Sequence, residues 1–226
     1  MSLLVKICGL STPEALDVAI VEHADMVGFV FFPPSPRNVS IEAARALSAR
    51  VKGRAKKVAL SVDADDTLLA AVVDALAPDF LQLHGRESPE RVSAIKARFR
   101  LPVIKALAID TKSDLARAKN YAAAADWLLF DAKAPADATR PGGLGKPFDW
   151  SLLRGVAPGV PLMLSGGLDA SNVAEAIRIA DPSAVDVSSG VESSPGRKDI
   201  GKIREFIRRA REAYLDVHAG SIASRA

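Results

Sequence analysis

Two side chains capable of acid–base chemistry end short apolar runs of the sequence. Cys8 ends the run Leu-Val-Lys-Ile-Cys, and Asp131 follows Trp-Leu-Leu-Phe. A thiol and a carboxyl that face each other can act as base and acid if their surroundings set the two pKa values suitably. Cysteine is also a common small buried residue, so Cys8 alone leaves both interpretations open. A carboxylate after four apolar residues must be paired or reach solvent.

Two glycine-containing segments late in the chain suit a phosphate group. Ser-Gly-Gly at 165–167 follows one apolar run, and Ser-Ser-Gly at 188–190 follows the next. Each offers several backbone N–H groups with no Cβ in the way, which favours phosphate binding. Glycines that only turn the chain would explain either segment alone, but two such segments at consecutive runs favour the phosphate interpretation. The candidate phosphate-binding residues are Gly166, Gly167, Ser189 and Gly190.

Two further polar residues are candidates for the same site. Arg37 lies in the loop Phe-Pro-Pro-Ser-Pro-Arg, whose three prolines reduce the entropy lost when its guanidinium grips a carboxylate through two hydrogen bonds. A solvated surface arginine would fit the same position. His84, in Leu-His-Gly, is a candidate polar support or catalytic group. His23 and His218 fall on a predicted helix and on the tail, and three scattered histidines indicate no metal site.

Eight apolar runs alternate with eight segments of helical period along the whole chain. The predicted strands are 3–8, 26–31, 57–62, 80–84, 103–107, 127–131, 162–165 and 184–188. The predicted helices are 13–23, 41–51, 66–76, 89–98, 112–123, a short 150–154, 171–180 and 199–215. Three helix starts carry capping residues, which are Ser11 or Thr12, Ser40 and Ser88.

Strands this apolar indicate a parallel sheet covered by helices on its faces. An open doubly wound sheet would usually have fewer strands and a glycine-rich fingerprint after the first. We therefore predict an α/β protein with a single (β/α)8 TIM barrel over residues 1–215, and we expect the aperiodic tail 216–226 to fray. The barrel brings the strand ends together at one face, where strands seven and eight usually hold phosphate.

Composition narrows the class of protein further. The chain has 226 residues, 49% of them hydrophobic, which argues against disorder and low complexity. Its net charge of +3 is weak evidence for a nucleic-acid partner, although Arg50, Lys52, Arg54, Lys56 and Lys57 form a basic cluster. One cysteine cannot form an internal disulfide. No apolar run approaches the ~18 residues of a membrane span and no signal peptide is visible, so we expect a cytoplasmic protein without a membrane partner.

Taken together, these motifs resemble the phosphoribosylanthranilate isomerase family. The resemblance runs from residue 3 to about 208 and rests on the combination of seven strings in the same order. The strings are Val-Lys-Ile-Cys-Gly at 5–9, the segment 28–37, Gln-Leu-His-Gly at 82–85, Phe-Asp at 130–131, the segment 142–150, Ser-Gly-Gly-Leu at 165–168, and Val-Asp-Val-Ser-Ser-Gly-Val-Glu at 185–192.

The resemblance implies a cofactor-independent Amadori rearrangement in tryptophan biosynthesis. N-(5-phosphoribosyl)anthranilate would be converted to 1-(2-carboxyphenylamino)-1-deoxyribulose 5-phosphate. By the same resemblance, Asp131 is the general acid that opens the ribose ring, and Cys8, as thiolate, is the general base at C2. Arg37 would hold the anthranilate carboxylate, and the four residues named above the phosphate. His84 would support the site without an assigned role. A thiol with a pKa near 8.5 needs only modest local lowering for this work.

Two departures from the family pattern and three rival functions accompany this prediction. Leu144 stands where the family usually has Thr or Ser, and the basic tail lies outside the family core.

The histidine-pathway isomerase of the same barrel class is the nearest rival, but it uses two aspartates and a substrate with two phosphates. A non-catalytic phosphate-ester binding barrel is the second rival, and a nucleic-acid-binding protein is the third. The expected partner is a small sugar phosphate, and both a monomer and a homodimer fit the sequence.

Overall fold

The computed structural model describes residues 2–133 and 147–223, with side chains up to residue 219. Leu144 and its glycine-containing loop lie outside the described residues. Eight parallel strands form a closed barrel in sequence order, and the first strand pairs with the eighth, with Leu4 opposite Ala184. The strands are β1 (Leu4–Cys8), β2 (Met26–Phe31), β3 (Lys56–Ser61), β4 (Phe80–Leu83), β5 (Val103–Ile109), β6 (Trp127–Ala132), β7 (Leu162–Leu164) and β8 (Ala184–Val187). The predicted closed barrel is confirmed, and the open sheet is excluded.

Alternation along each strand divides the core into two parts. Val5 and Ile7 of β1 pack in the large apolar layer between the strands and the helices. Because successive side chains of a strand point to opposite faces, Lys6 and Cys8 point into the barrel. Apolar residues of the other strands form one cluster inside the barrel, and Cys8 belongs to a second, small cluster with Val30 and Leu60. Cys8, the last residue of β1, therefore lies at the carboxyl end of the barrel interior.

The helices begin at the capping residues that the sequence indicates. Thr12, rather than Ser11, accepts a hydrogen bond from the N–H of Ala15, and Ser40 and Ser88 cap their helices in the same way. An N-cap of this kind satisfies an N–H group that has no partner inside the helix. The helices are α1 (Pro13–Val21), α2 (Ile41–Val51), α3 (Asp66–Leu76), α4 (Pro89–Phe99), α5 (Lys112–Ala118), α6 (Val173–Ala180) and α7 (Ile200–Ala223), with a 3-10 turn at Trp150–Leu153.

The last helix is longer than the sequence predicts. α7 continues through residues 216–223 instead of ending near residue 215. The Tyr214 ring stacks on that of His218 at 4.1 Å, and His218 Nε2 lies 3.4 Å from Asp181 Oδ1. Leu215 and Val217 face solvent, which explains why the segment shows no apolar periodicity although its backbone is helical.

One element of the structure has no counterpart in the sequence prediction. Two short antiparallel strands, β9 (Glu192–Ser194) and β10 (Arg197–Lys198), form a hairpin between β8 and α7. Strands of three and two residues are too short to produce a readable alternation. Within the described ranges, no helix is long and apolar enough to cross a membrane.

Candidate active site

An open cavity of about 660 Å³ lies at the carboxyl ends of the strands. Seven of the eight predicted site residues line it, namely Cys8, Arg37, His84, Asp131, Gly166, Gly167 and Ser189. The loops that carry these residues meet because every strand of the barrel points the same way.

Cys8 lies at the end of β1 and is only 3% exposed. Burial raises the pKa of its thiol above the ordinary value; the charges of Lys6 and Lys198 work to lower it, whereas that of Asp186 raises it further. A thiolate at this position therefore depends on the two ammonium groups, which offset part of the cost of burying its charge.

Asp131 is held by its neighbours at the end of β6. Its Oδ1 accepts a hydrogen bond from the N–H of Ala132 at 2.8 Å, and its Oδ2 lies 3.1 Å from His84 Nε2. The amide nitrogen of Gln82 lies 3.1 Å from His84 Nδ1. Because an amide N–H only donates, Nδ1 accepts and Nε2 carries the ring proton that faces Asp131. His84, which the sequence left without a role, thus orients the carboxyl group of Asp131.

Two glycines after β7, Gly166 and Gly167, also line the cavity. Gly166 and Gly167 have φ angles of +85° and +69°, a conformation that other residues rarely adopt. A Cβ on Gly166 would lie 2.3 Å from the Ala132 nitrogen, so this position requires glycine for close approach to β6. Asn172 fixes the loop by donating its side-chain N–H to the carbonyl oxygen of Gly167 at 2.9 Å. Consecutive glycines in this conformation are suited to presenting N–H groups to an anion.

Gly190 differs from the other candidates for phosphate binding because it is not among the residues that line the cavity. A Cβ there would lie 1.9 Å from the carbonyl oxygen of Leu168. Gly190 therefore allows the segment after β8 to pack against the segment after β7. Its predicted N–H contact with phosphate stays a prediction.

Arg37 is buried rather than a solvated surface residue. Its Nε and one terminal nitrogen bind the two carboxylate oxygens of Glu192 at 2.7 and 2.8 Å. Lys198 binds the same carboxylate at 2.9 Å. Glu192 and Lys198 belong to the β9–β10 hairpin, which therefore fixes the plane of the guanidinium beside the cavity. Arg37 and Lys198 together make this end of the cavity attractive to an anionic group.

Sequence reasoning missed five buried polar residues of the site, which are Lys6, Gln82, Asp186, Glu192 and Lys198. A signal existed for three of them: Lys6, Gln82 and Asp186 interrupt otherwise apolar strands at positions that face the barrel interior. Glu192 closes the family string 185–192 but follows β8 with no periodicity that assigns it a role, and no local pattern marks Lys198. Within residues 2–133 and 147–223, no group of three or more His, Cys, Asp or Glu residues could hold a metal ion.

The fold and the cavity together define an enzyme of the (β/α)8-barrel class, with a thiol, a carboxyl group and two glycines lining a cavity at the carboxyl ends of its strands. Residues 5–209 match the family model of N-(5'-phosphoribosyl)anthranilate (PRA) isomerase, and the chain belongs to this family.

Known relatives agree with this assignment. The chain is 60% identical over 217 residues to the N-(5'-phosphoribosyl)anthranilate isomerase of Nitrobacter hamburgensis, with 96% of each chain covered. The phosphoribosyl anthranilate isomerase of Thermotoga maritima superposes with a TM-score of 0.84 at 39% identity, covering 93% of this chain and 99% of its own. A phosphoribosyl anthranilate isomerase in complex with reduced 1-(o-carboxyphenylamino)-1-deoxyribulose 5-phosphate superposes with a TM-score of 0.80 at 36% identity, with the same coverage.

Proposed function

We propose that this chain isomerises N-(5-phosphoribosyl)anthranilate to 1-(2-carboxyphenylamino)-1-deoxyribulose 5-phosphate, with Asp131 as general acid and Cys8 as general base. The observation that carries the proposal is that both side chains line one cavity together with Gly166, Gly167 and Arg37. Family membership and the complex of a relative with a reduced product analogue support the choice of substrate.

The reaction begins with proton transfer from Asp131 to the ribose ring oxygen. The bond between C1 and that oxygen breaks, and the nitrogen lone pair forms a protonated Schiff base. The Cys8 thiolate then removes the proton from C2. The electrons of that C–H bond form the C1=C2 double bond, and those of the C=N double bond return to the nitrogen, which gives an enolamine. The enolamine becomes the ketone when its C2 hydroxyl loses a proton and C1 gains one. Asp131 ends this sequence as a carboxylate that can accept hydrogen bonds from His84 and from the N–H of Ala132.

The two ends of the substrate are anionic and require two anchors. The N–H groups of Gly166, Gly167 and Ser189, with that of Gly190 as a further contributor, would hold the phosphate. Arg37 would hold the anthranilate carboxylate, and Glu192 supports this role because two hydrogen bonds fix the guanidinium before the substrate arrives. Binding energy from two fixed anchors positions C2 and the ring oxygen against the base and the acid.

The rival functions have less support. The histidine-pathway isomerase would require an aspartate where this chain has Cys8. The basic cluster proposed for nucleic acid is internally paired: Arg50 contacts Asp17, and Lys56 lies 3.0 Å from Asp79. Lys57 donates to the carbonyl oxygen of Leu76 at 2.8 Å. A cytoplasmic location suits a base that must remain a free thiol, since reducing compartments keep cysteines reduced.

The proposal is tested by an assay that follows the loss of the substrate's anthranilate fluorescence with the wild type, Cys8→Ser and Asp131→Asn. The wild type should consume phosphoribosylanthranilate. Asp131→Asn should lose about 10²–10⁴ in kcat, because an amide cannot supply the proton. Asn120→Asp, a change on the surface, should keep full activity. An active Asp131→Asn would contradict the acid assignment, and an inactive wild type would contradict the function.

A further inference from the structure

A buried ammonium group shares the barrel interior with the thiol of Cys8. Lys6 is two residues before Cys8 on β1, so both side chains point inward, and Lys6 is 0% exposed. Its Nζ lies 2.8 Å from Asp186 Oδ1 on the neighbouring strand β8, and Asp186 lines the cavity together with Cys8. Ser165 donates to the other oxygen of Asp186 at 3.3 Å. Asp186 thus fixes Lys6 on the strand and on the face that carry the thiol.

A second buried ammonium group, that of Lys198, lies on the β9–β10 hairpin. Lys198 is 2% exposed, and its Nζ lies 2.8 Å from the carbonyl oxygen of Ser188. The hydroxyl of Ser188 in turn donates to the carbonyl oxygen of Cys8 at 3.2 Å. Ser188 therefore links Lys198 to the backbone of Cys8, whereas Lys6 lies on the same strand and the same face as the thiol.

We propose that Lys6 is a positioning residue for Cys8, the general base. The ammonium charge of Lys6 stabilises the thiolate of Cys8, and Asp186 holds that ammonium in place. The proposal rests on the proposed function, because only a reaction that uses Cys8 as a base needs a thiolate at this depth. Burial of a lysine inside a barrel is costly unless the charge is used and paired. Neither an acidic nor a neutral side chain at position 6 would supply this stabilisation.

The electrostatics of the barrel interior agree with this role. Burial works to lower the pKa of Lys6, but the negative charges of Asp186 and of the Cys8 thiolate outweigh it, so the pKa is raised and the ammonium stays charged. Burial raises the pKa of Cys8, and Lys6 opposes that rise more strongly than Lys198 does. The charged and titratable groups around the thiol are Lys6 on its own strand, Asp186 on β8, Lys198 and Glu192 on the hairpin, Arg37 after β2, His84 after β4 and Asp131 on β6.

The experiment exploits the fact that Cys8 is the single cysteine of the chain. The rate of alkylation by iodoacetamide, followed from pH 6 to 11 on the folded protein, reports the thiolate fraction of this one residue. Lys6→Met should move the midpoint of the profile upward by about one pH unit, which is about tenfold less thiolate at a fixed pH below the midpoint. Asp186→Asn should move it downward, because the carboxylate opposes the thiolate. Circular dichroism establishes that each variant is folded.

Lys105→Met is the matched control. Lys105 is also a buried lysine paired with a carboxylate, that of Glu87 at 2.7 Å, but it lies outside the cavity. Its replacement should leave the midpoint unchanged, whereas a shift would show that the profile reports loosening of the barrel and would overturn the proposal. An unchanged midpoint in folded Lys6→Met would also overturn it. If Lys6→Met fails to fold, Lys6→Gln removes the same charge, and an unchanged midpoint in that folded variant would overturn the proposal.

This measurement tests the role of Lys6 separately from the isomerase activity, because alkylation of Cys8 requires no turnover. Opposite shifts in the two variants with an inactive wild type would support the role of Lys6 on the thiol and remove the isomerase assignment. In an active enzyme, Lys6→Met should lower kcat at neutral pH and regain part of it at higher pH, with KM little changed. A loss of kcat that is the same at every pH would contradict the electrostatic role.

Discussion

His84 contacts the carboxyl group of Asp131, the proposed general acid. It lies between Gln82 and Asp131, with both ring nitrogens engaged at 3.1 Å. This chain of contacts fixes the ring tautomer and points an N–H at Asp131 Oδ2. Such a contact orients the acid before the substrate binds and stabilises the carboxylate after proton transfer.

We expect His84→Asn to lower kcat about tenfold, a part of the 10²–10⁴ that a general acid contributes, because Asp131 stays but loses its orientation. KM should change little, since His84 lies away from both proposed anchors of the substrate. Steady-state fluorescence kinetics measure both constants. His23→Asn is the control: His23 is exposed, and asparagine tolerates its positive φ of 61°. A tenfold rise in KM with unchanged kcat would instead place His84 in binding.

The β9–β10 hairpin is the element that completes the site. Glu192 lies 155 residues from Arg37 in sequence, and its carboxylate binds both Arg37 and Lys198. Burial tends to raise the pKa of Glu192, but the hydrogen bonds and charges of Arg37 and Lys198 outweigh it and lower the pKa. The hairpin thus connects the loop after β2 to the segment after β8 through a buried ionic cluster.

We expect Glu192→Gln to destabilise the protein by about 3–5 kcal/mol at pH 7, because two buried cations lose their carboxylate. A lowered folded-state pKa gives stability that is present above the unfolded value of about 4.3 and lost as pH falls through the folded value. The difference between wild type and Glu192→Gln should therefore shrink below about pH 4. Urea unfolding at pH 7 and in acid measures it, with the exposed Glu42→Gln as control. A difference independent of pH would contradict this account.

At the scale of the whole molecule, the cavity exists only when the barrel is closed. Its lining residues range from Cys8 on β1 to Ser189 after β8, and the pairing of β1 with β8 brings them together. A ligand of this cavity therefore binds the folded state alone and stabilises the complete barrel.

We expect reduced 1-(o-carboxyphenylamino)-1-deoxyribulose 5-phosphate at 100 times its Kd to raise the free energy of unfolding by about 2.7 kcal/mol. Thermal or urea unfolding with and without the compound measures the gain. Gly166→Ala should lose most of it at the same concentration, because the added Cβ would lie 2.3 Å from the Ala132 nitrogen and disturb the anion pocket. Gly53→Ala is the control: it has a similar φ of +72° with open space around it. An equal gain in Gly166→Ala would remove Gly166 from the site.

Local patterns predicted most of the fold. The strand end at Cys8, the caps at Ser40 and Ser88, and the order of eight strands agree with the structure, and Asp131 lies one residue before the end of β6. The errors fall where local pattern carries little information. The hairpin is too short to show alternation, and the continuation of α7 past Leu215 places apolar residues in solvent.

The sequence by itself placed the strand ends to within two residues, because side-chain period and capping chemistry are properties of neighbouring residues. Only the tertiary structure decided the charges around those residues. Closure of the barrel places Asp186 beside Lys6, although 180 residues separate them in the chain, and the hairpin places Glu192 against Arg37. Burial raises the pKa of Cys8 for the same reason, and the charge of Lys6 opposes that rise. Desolvation and through-space charge depend on how distant segments pack, which no local pattern encodes.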